Sequence, residues 1–426
     1  MRILLVASTA HPESVGEAQI SYQWASRLAA RHEVTVLCYR QRDGLPLTGT
    51  IPQARIVEWD EPPLVGRHER IKAMLNPGYA PFYWHAKHWL RRALARGESF
   101  DVAHQVAPVS LRYPSPLASS SIPYVLGPVG GSLPSPEAFR AEEAGAPWYM
   151  ELRALDRHLL RHWPALRRSF SNASTVIGIA DYVRELLDDI PVQEFRTMSD
   201  SGITDLPPAA VGSSRTEAVR LLFVGRVIRT KGVRDIIRAI ESLPHGLVSL
   251  DVVGDGYDRA ACGKIAADLG VADLVRFHGL VAHEHVARFY DRADIFVFPS
   301  YREAGGIAVV EAMSHGLPVI VADRGGPATS VGEDGGLRIP VLHPDQYAAD
   351  LAAAIRTLAG DPMRRASLGN AARTRVASTA LWDRRIEEME QIYERVRAGN
   401  RAAIRPGARA TISPTTPGLS RRSRSR

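Results

Sequence analysis

The sequence predicts two successive α/β domains, each with a doubly wound, mostly parallel sheet covered by helices on both faces. In the first half, short apolar runs such as RILLVAS and EVTVLCY alternate with helical patterns such as AQISYQWASRLAARH. The same alternation restarts near residue 219 with VRLLFVG, GVRDIIRAIESL and VSLDVVGDG. Alternation of this kind is typical of parallel sheets, because each parallel pair needs a crossover connection. A chain of 426 residues is also long enough for two domains.

The domain boundary is predicted in DSGITDLPPAAVGSSRTEA, a segment rich in proline, glycine and serine. Near the end of the chain, ALWDRRIEEMEQIYERVR has apolar residues at helical spacing. Ligands of open α/β sheets bind beyond the carboxyl ends of the strands, so two facing sheets would enclose a ligand in a central cleft. The predicted parts are a first domain (1–204), a linker (205–218), a second domain (219–380), a helix that packs back on the first domain (381–398) and a tail (399–426).

The positive charge of the chain is concentrated in its tail. The formal net charge is +7, and residues 399–426 contain seven arginines and no acidic residue. Without them, 46 basic residues balance 46 acidic ones, so the folded body gives no reason to expect nucleic-acid binding. The tail is rich in Pro, Ser and Thr, which predicts disorder. Attraction of its arginines to an anionic membrane surface is the alternative to a purely solvated end.

Cysteine usage and hydropathy suggest a cytoplasmic protein, at most peripheral at the inner face of the membrane. Cys38 and Cys262 are far apart and have no ligand-like spacing, which argues against a disulfide framework or a zinc site. The opening MRILLVASTAHP is too short in its apolar part for a signal peptide and is predicted to be a buried strand. No run approaches the ~18 apolar residues of a membrane-spanning helix.

The stretch PSYREAGGIAVVEAMSHGLPVIV, residues 299–321, places Glu311 inside an apolar helix. A buried carboxylate needs a hydrogen-bonding partner. A vicinal sugar diol would supply two hydroxyl donors, whereas a neighbouring backbone group or an arginine is the structural alternative. Gly305 and Gly306 would let the backbone approach a ligand, and the first helical amides, near Ile307, would face an anion.

A second motif, LLFVGRVIRTKG, places Arg226 and Lys231 in a predicted loop between a strand and a helix. Two cations near a helix start form a cradle for phosphate oxygens. Taken alone, basic loop residues are more often simply solvated, so the motif gains weight only beside Glu303 and Glu311.

Three histidines in FHGLVAHEHVARF, namely His278, His283 and His285, raise the question of a metal site. The chain contains no D-x-D motif, and a basic pair can neutralise a diphosphate in place of a metal. We therefore expect no metal and interpret these histidines as loop and helix-start residues. Gly254 and Asp255 in VVGDG are expected to be structural.

Together these motifs resemble family 4 glycosyltransferases, which retain anomeric configuration and have the GT-B fold of two Rossmann-like domains. Glu303 and Glu311 match the family's E-x7-E signature, and GRVIRTKG matches its G-R-x4-K-G. RILLVAST, VRFHG and LWDRRIEEMEQIYERV fit as well, so the resemblance extends over about residues 1–398.

The resemblance implies a role for each matching residue. Arg226 and Lys231 would hold the donor diphosphate, and Glu311 would bind the ribose. Glu303 would contact the transferred sugar and the phosphates, together with the backbone of Gly305, Gly306 and Ile307. These residues would form the donor site of the second domain.

In the first domain, on the acceptor side, His104 in DVAHQ would approach the reacting sugar; a core or surface histidine is the alternative. Gly16 would contact the donor, although its loop lacks the usual Gly-Gly pair. Ser201-Gly202 replaces the usual Asn-Gly before the interdomain crossing. A second glycine pair, in GPVGGSLPSP (127–136), would line the acceptor side or belong to a mobile loop.

The predicted function is a metal-independent, hexosyl-type glycosyltransferase with no cofactor and a UDP-sugar or GDP-sugar as donor. Its acceptor would be a hydroxyl of a glycan, a lipid-linked molecule or a small molecule, in bacterial-type glycan, polysaccharide or glycoconjugate assembly. Two other functions fit the same residues. A nucleotide-sugar epimerase can share this architecture, and a non-catalytic sugar-nucleotide or nucleic-acid binding protein would use the arginine tail.

Overall fold

The computed structural model describes residues 1–14, 16–40, 46–62, 76–143, 154–200, 202–208 and 218–404. Within these residues the strands form two parallel sheets, which confirms the predicted fold of two Rossmann-like domains. Ser201, most of the predicted linker and the tail from residue 405 onward lie outside the described residues. None of the described helices is both long and apolar enough to cross a membrane.

The first domain contains a seven-stranded sheet in the order β3-β2-β1-β4-β5-β6-β7. In α1, buried Trp24, Ala25 and Leu28 recur at helical spacing and form one face of the helix. The strands are β1 (Arg2–Thr9), β2 (Glu33–Arg40), β3 (Arg55–Asp60), β4 (Val102–Ala107), β5 (Tyr124–Val129), β6 (Thr175–Gly178) and β7 (Phe195–Thr197). The described helices are α1 (Glu17–Ala29), α2 (Leu47–Thr50), α3 (Tyr79–Ala95), α4 (Ala154–His162), α5 (Pro164–Ser171) and α6 (Tyr182–Leu186).

The second domain contains a six-stranded sheet in the order β10-β9-β8-β11-β12-β13. Its strands are β8 (Val219–Val224), β9 (Val248–Val253), β10 (Val275–Gly279), β11 (Ile295–Phe298), β12 (Val319–Ala322) and β13 (Gly336–Ile339). The helices that follow the first domain are α7 (Val233–Glu241), α8 (Arg259–Asp268), α9 (His283–Tyr290), α10 (Ile307–Ser314), α11 (Gly325–Val331), α12 (Pro344–Gly360), α13 (Pro362–Thr379) and α14 (Trp382–Ile404).

The last helix, α14, returns to the first domain. The return crossing lies beside the linker, where Ile203 N donates to the Ala380 carbonyl and Trp382 N donates to the Ile203 carbonyl, both at 3.0 Å. Buried side chains of α14, including Met389 and Tyr393, join the core formed by α1 and the first sheet. The helix runs to Ile404, six residues beyond the predicted limit of 398, although Gly399 and Asn400 are poor helix formers.

Each sheet reverses its strand order once, between β1 and β4 in the first domain and between β8 and β11 in the second. In a parallel sheet, the loops that leave the carboxyl ends of the two strands at this point form a crevice. The loop after β8 carries Arg226 and Lys231, and the loop after β11 carries Glu303. The topology therefore brings together motifs that are far apart in the sequence.

Candidate functional site

Lys231 and Glu303 form an ion pair at the carboxyl edge of the second sheet. Lys231 Nζ contacts Glu303 Oε2 and lies 5.3 Å from the centre of the Phe298 ring. The two side chains are 11% and 18% exposed, so most of the pair is removed from water. Charges in this setting interact more strongly than in bulk water. The two sequence motifs thus meet in one charged group.

The backbone of the loop that contains Lys231 is fixed to the chain after β11. Gly232 has a φ of +81°, and a side chain there would overlap the Pro299 carbonyl. Ser300 Oγ donates to the Thr230 carbonyl at 3.2 Å. These contacts set the position from which Lys231 reaches Glu303.

Arg226, the other predicted phosphate ligand, has a different environment. It follows the end of β8, and its side chain is exposed. An exposed guanidinium is hydrated and screened, whereas Lys231 is shielded from water and paired with Glu303. The structure therefore separates the two cations by exposure and pairing, which the sequence could not do.

The helix α10 begins directly after the two predicted glycines. Gly306 precedes the helix with a φ of +86°, and Ile307, its first residue, is 39% exposed. A Cβ atom added at Gly305 would lie 2.9 Å from Asp200 Oδ1, so the loop approaches the domain crossing closely. The free amides and the dipole of a helix N-terminus favour an anion. This helix start lies in the same loop as Glu303.

Glu311 lies one turn into α10, and its partner in the structure is a tyrosine. Tyr290 Oη donates to Glu311 Oε2 at 2.9 Å, which explains how a carboxylate is accommodated in an apolar helix. Burial raises the pKa of Glu311. The hydrogen bond from Tyr290 offsets part of that rise, and so do the charges of nearby His283 and His315. The sequence analysis missed Tyr290, because in the sequence it occupies an ordinary apolar position of α9. The contact with a ribose remains a prediction.

His104 lies in the core of the first domain. It is the third residue of β4, is fully buried, and packs against Trp24 and Tyr393. Tyr393 Oη lies 2.5 Å from Nδ1, and the Gly127 carbonyl lies 2.6 Å from Nε2. Burial lowers the pKa of His104 to about 4, although the Gly127 hydrogen bond opposes this effect. The structure therefore does not fit the expected approach to the reacting sugar, because mid-strand side chains face the helical layers and not the cleft.

The loop after β1 reaches α1 through Gly16. This glycine is exposed, has a φ of +69°, and accepts a hydrogen bond from Ile20 N at 3.0 Å. The next residue, Glu17, was missed by sequence reasoning. Burial raises the pKa of Glu17 to about 7, with a further rise from Asp200, while a backbone hydrogen bond with Val109 opposes it. Contact between Gly16 and a donor remains a prediction.

Gly254 and Asp255 shape the loops at the ends of β8 and β9. A side chain at Gly254 would overlap the Gly225 carbonyl, and Gly254 N donates to the Gly279 carbonyl at 2.8 Å. Asp255 Oδ1 accepts from Gly256 N at 2.7 Å. Both residues thus have the structural role expected from the sequence.

The three histidines near β10 have separate surroundings. His278 Nε2 lies 2.6 Å from Asp251 Oδ1, whereas His283 and His285 are exposed at the start of α9. Within the described ranges, no group of three or more His, Cys, Asp or Glu side chains is placed to hold a metal ion.

Sequence reasoning also missed Arg229, which lies between the two predicted phosphate ligands. Its side chain is 1% exposed, and it donates to Asp235 Oδ2 at 2.6 Å and to Glu142 Oε2 at 2.8 Å. A buried guanidinium held by two carboxylates braces the structure around it. From the sequence, Arg229 is indistinguishable from a phosphate ligand, because only the fold reveals its carboxylate partners.

A cavity of about 920 Å³ lies between the domains, beside the Glu303 loop. Leu133 and Pro134, from the segment that follows the second glycine pair, line it together with Tyr182, Arg324 and Gly325. The pair itself is held by hydrogen bonds, since Gly130 N donates to the Val109 carbonyl at 2.7 Å and Tyr182 Oη donates to the Gly131 carbonyl at 3.0 Å. The cavity lies adjacent to the donor-side residues and does not contain them.

Comparison with known proteins gives a family match that covers most of the second domain. Residues 210–375 match the family described as glycosyl transferases group 1. The D-inositol 3-phosphate glycosyltransferase of Thermomonospora curvata is 33% identical over 216 residues, which is 48% of this chain and 46% of that protein. The chain thus spans about half the length of this curated relative.

Solved structures share both domains. Sucrose-phosphate synthase from Thermosynechococcus elongatus superposes with a TM-score of 0.65 at 20% identity, covering 93% of this chain and 99% of that one. HepE from Anabaena, solved in complex with UDP and glucose, gives a TM-score of 0.60 at 16% identity, covering 93% and 100%. At these identities the likeness establishes the fold alone. The chain therefore has the two-domain GT-B fold, and its residues 210–375 match the glycosyl transferases group 1 family.

Proposed function

We propose that this protein transfers a sugar from a nucleoside-diphosphate sugar to an acceptor hydroxyl, with retention of anomeric configuration, as in family 4. The observation that carries the proposal is the Lys231–Glu303 pair beside the start of α10, inside a glycosyl transferases group 1 domain. The UDP and glucose bound to HepE support a UDP-sugar donor, with a GDP-sugar as the alternative, and the activity named for the inositol-phosphate relative supports glycosyl transfer.

In this proposal the second domain stabilises the leaving group electrostatically. Negative charge grows on the diphosphate as the glycosidic bond breaks, and Lys231, Arg226 and the first amides of α10 are cations and dipoles already in place to meet it. Glu303, which holds Lys231, contacts the transferred sugar, and Glu311 accepts hydrogen bonds from the ribose hydroxyls. In this proposal Arg226 and Lys231 neutralise the diphosphate in place of a metal ion, so the reaction needs no metal.

The acceptor enters from the first domain and occupies the interdomain cavity. Its walls combine acidic and basic side chains, including Asp181, Arg157 and Arg324, with the Tyr182 ring. Such a mixture of donors and acceptors suits the hydroxyl groups of a glycan or glycoconjugate. We place the protein in the cytoplasm, where its two cysteines, both free and buried, would stay reduced, and at the inner membrane surface if the arginine tail binds anionic lipid.

The test begins with a thermal-shift screen of UDP-, GDP- and ADP-sugars. A ligand at about a hundred times its dissociation constant stabilises the folded state by ~2.7 kcal/mol, which a melting curve detects. The stabilising donor is then incubated with and without acceptor sugars, and the anomeric configuration of the product is read by NMR. Isomerisation of the donor without acceptor would identify an epimerase instead. Donor binding without turnover under any condition would identify a binding protein.

A further inference from the structure

A segment of the first domain crosses the cleft and packs on the second domain; we name residues 132–143 the clasp. Near its start, Arg324 Nη2 donates to the Pro134 carbonyl at 3.0 Å, and Arg302 Nη1 donates to Ser135 Oγ at 3.4 Å. The clasp then forms the short 3₁₀ helix Glu137–Glu143. Both arginines belong to the second domain, so the clasp is attached on the side opposite to its own sheet.

Phe139 anchors the clasp inside the second domain. Its side chain is fully buried and belongs to the hydrophobic core around the second sheet, although its chain segment belongs to the first domain. Its ring centre lies 4.6 Å from that of Tyr301 and 5.9 Å from that of Tyr347. The guanidinium of Arg229 lies 5.6 Å from the Phe139 ring centre, within cation–π range.

Glu142 completes a balanced charge cluster with the second domain. Arg229 Nη2 lies 2.6 Å and Arg238 Nη1 lies 3.0 Å from the Glu142 carboxylate, and both arginines also contact buried Asp235. Burial opposes ionisation of Glu142, but the two arginines outweigh that effect and hold its pKa below the usual value. Without Glu142, the two guanidinium groups of this cluster would share the single carboxylate of Asp235. Removing one partner of a buried pair is costly, because an uncompensated charge remains.

These contacts reach both halves of the donor site. Arg229 and Lys231 are the first and last residues of one 3₁₀ turn, so a brace on Arg229 fixes the backbone that presents Lys231. Arg302 directly precedes Glu303, and besides Ser135 it faces Glu143 of the clasp at 3.6 Å. The clasp therefore contacts Arg229, two residues before Lys231, and Arg302, directly before Glu303.

We propose that Phe139 and Glu142 are positioning residues supplied by the first domain, which set the phosphate-binding loop 226–232 of the second domain for the nucleoside-diphosphate donor. This inference rests on the proposed function for its ligand. Its consequence is that the donor site is complete only while the clasp is docked, so donor affinity depends on how the two domains are held together.

The first test measures the loop directly, without any ligand. Hydrogen–deuterium exchange of residues 226–232 is compared among wild-type protein, Phe139→Ala, Phe139→Leu and Glu142→Gln. The matched control is Glu137→Gln, which removes an exposed carboxylate from the same 3₁₀ helix. We expect exchange about tenfold faster in Phe139→Ala and Glu142→Gln, partial protection in Phe139→Leu, and no change in the control. Unchanged loop exchange in a folded Glu142→Gln variant would overturn the proposal.

The second test measures binding of UDP and GDP by calorimetry. Glu142→Gln should lower the affinity for the nucleotide that wild-type protein binds by about tenfold. In a Lys231→Ala background the same substitution should cause no further loss of affinity, because the effects of coupled residues are not additive. A melting temperature that falls with no change in affinity would show a merely structural role. Equal affinity in wild type and Glu142→Gln overturns the positioning role alone, whereas wild-type protein that binds neither nucleotide overturns the proposed function and the positioning role with it.

Discussion

Replacing Lys231 by alanine should slow sugar transfer much more than replacing Arg226. Lys231 is 11% exposed and lies beside an aromatic ring, whereas Arg226 is exposed. A charge about 4 Å from a phosphate is worth roughly 4 kcal/mol at an effective dielectric constant of 20 but about 1 kcal/mol in bulk water. Because Glu303 already compensates part of the Lys231 charge, we expect a loss in kcat of about 10² for Lys231→Ala, the usual scale for one preorganised group. For Arg226→Ala the corresponding loss is about fivefold.

The measurement is steady-state transfer from the donor found by the thermal-shift screen, with kcat and KM determined separately. Lys264→Ala is the matched control, because it removes an amine of the same domain that is 75% exposed and pairs only with Asp268 on its own helix among the described residues. Circular dichroism and melting curves establish that each variant is folded, which matters because Lys231→Ala leaves the Glu303 carboxylate without its cation.

Two results would refute this reasoning. Near-normal turnover of a folded Lys231→Ala variant would remove that residue from the diphosphate site. A larger loss in Arg226→Ala than in Lys231→Ala would show that shielding from water does not rank the two cations, and that the bound state differs from the arrangement described.

Four further outcomes are expected. Glu311→Gln should raise the KM for the donor about 10–100-fold with kcat little changed, because a hydrogen bond to a charged group contributes about 1.5–3 kcal/mol remote from the breaking bond; a fall in kcat at constant KM would contradict this. Transfer should continue in excess EDTA, and its loss with recovery on adding Mg²⁺ or Mn²⁺ would show a metal requirement. The pKa of Glu17 is raised to about 7 mainly by burial, with Asp200 adding to the rise and a backbone hydrogen bond with Val109 opposing it. Between the ordinary carboxyl pKa and pH 7, the folded state therefore holds one proton more than the unfolded state. The stability of the fold falls as pH rises through that window. Glu17→Gln should therefore raise the melting temperature at pH 8, by the equivalent of about 1–2 kcal/mol, and not at pH 4.5; equal shifts at both values would argue against a titrating Glu17. Deleting residues 401–426 should leave turnover unchanged and weaken binding to anionic vesicles, since each arginine near such a surface contributes about 1 kcal/mol. Equal vesicle binding by the full-length and the truncated protein would show that the tail does not bind the membrane.

Much of the fold was predictable because its signals are local. The alternation of apolar strands and amphipathic helices such as α7, whose Val233, Ile236 and Ile240 are buried at helical spacing, follows from 3.6- and two-residue periodicities. Glycines such as Gly254 and Gly306 were recognisable because particular turns exclude side chains. Residue types at fixed spacing also selected Lys231, Glu303 and Glu311 as one candidate site.

The tertiary structure decided which residues share an environment, because this depends on strand order and on contacts between distant segments. DVAHQ places a histidine in a strand, but only its burial against Trp24 and Tyr393 shows that His104 faces a helical layer. GRVIRTKG contains three cations, and only the carboxylates of Asp235 and Glu142 distinguish Arg229 as a brace. Phe139 and Glu142 lie in no recognisable motif, because the contacts that set them apart are with a different domain. The sequence by itself thus determined the α/β architecture and the residue types of the candidate donor site, because short-range periodicity and residue type are local properties. Burial and interdomain contact decided which charges are shielded and which are paired.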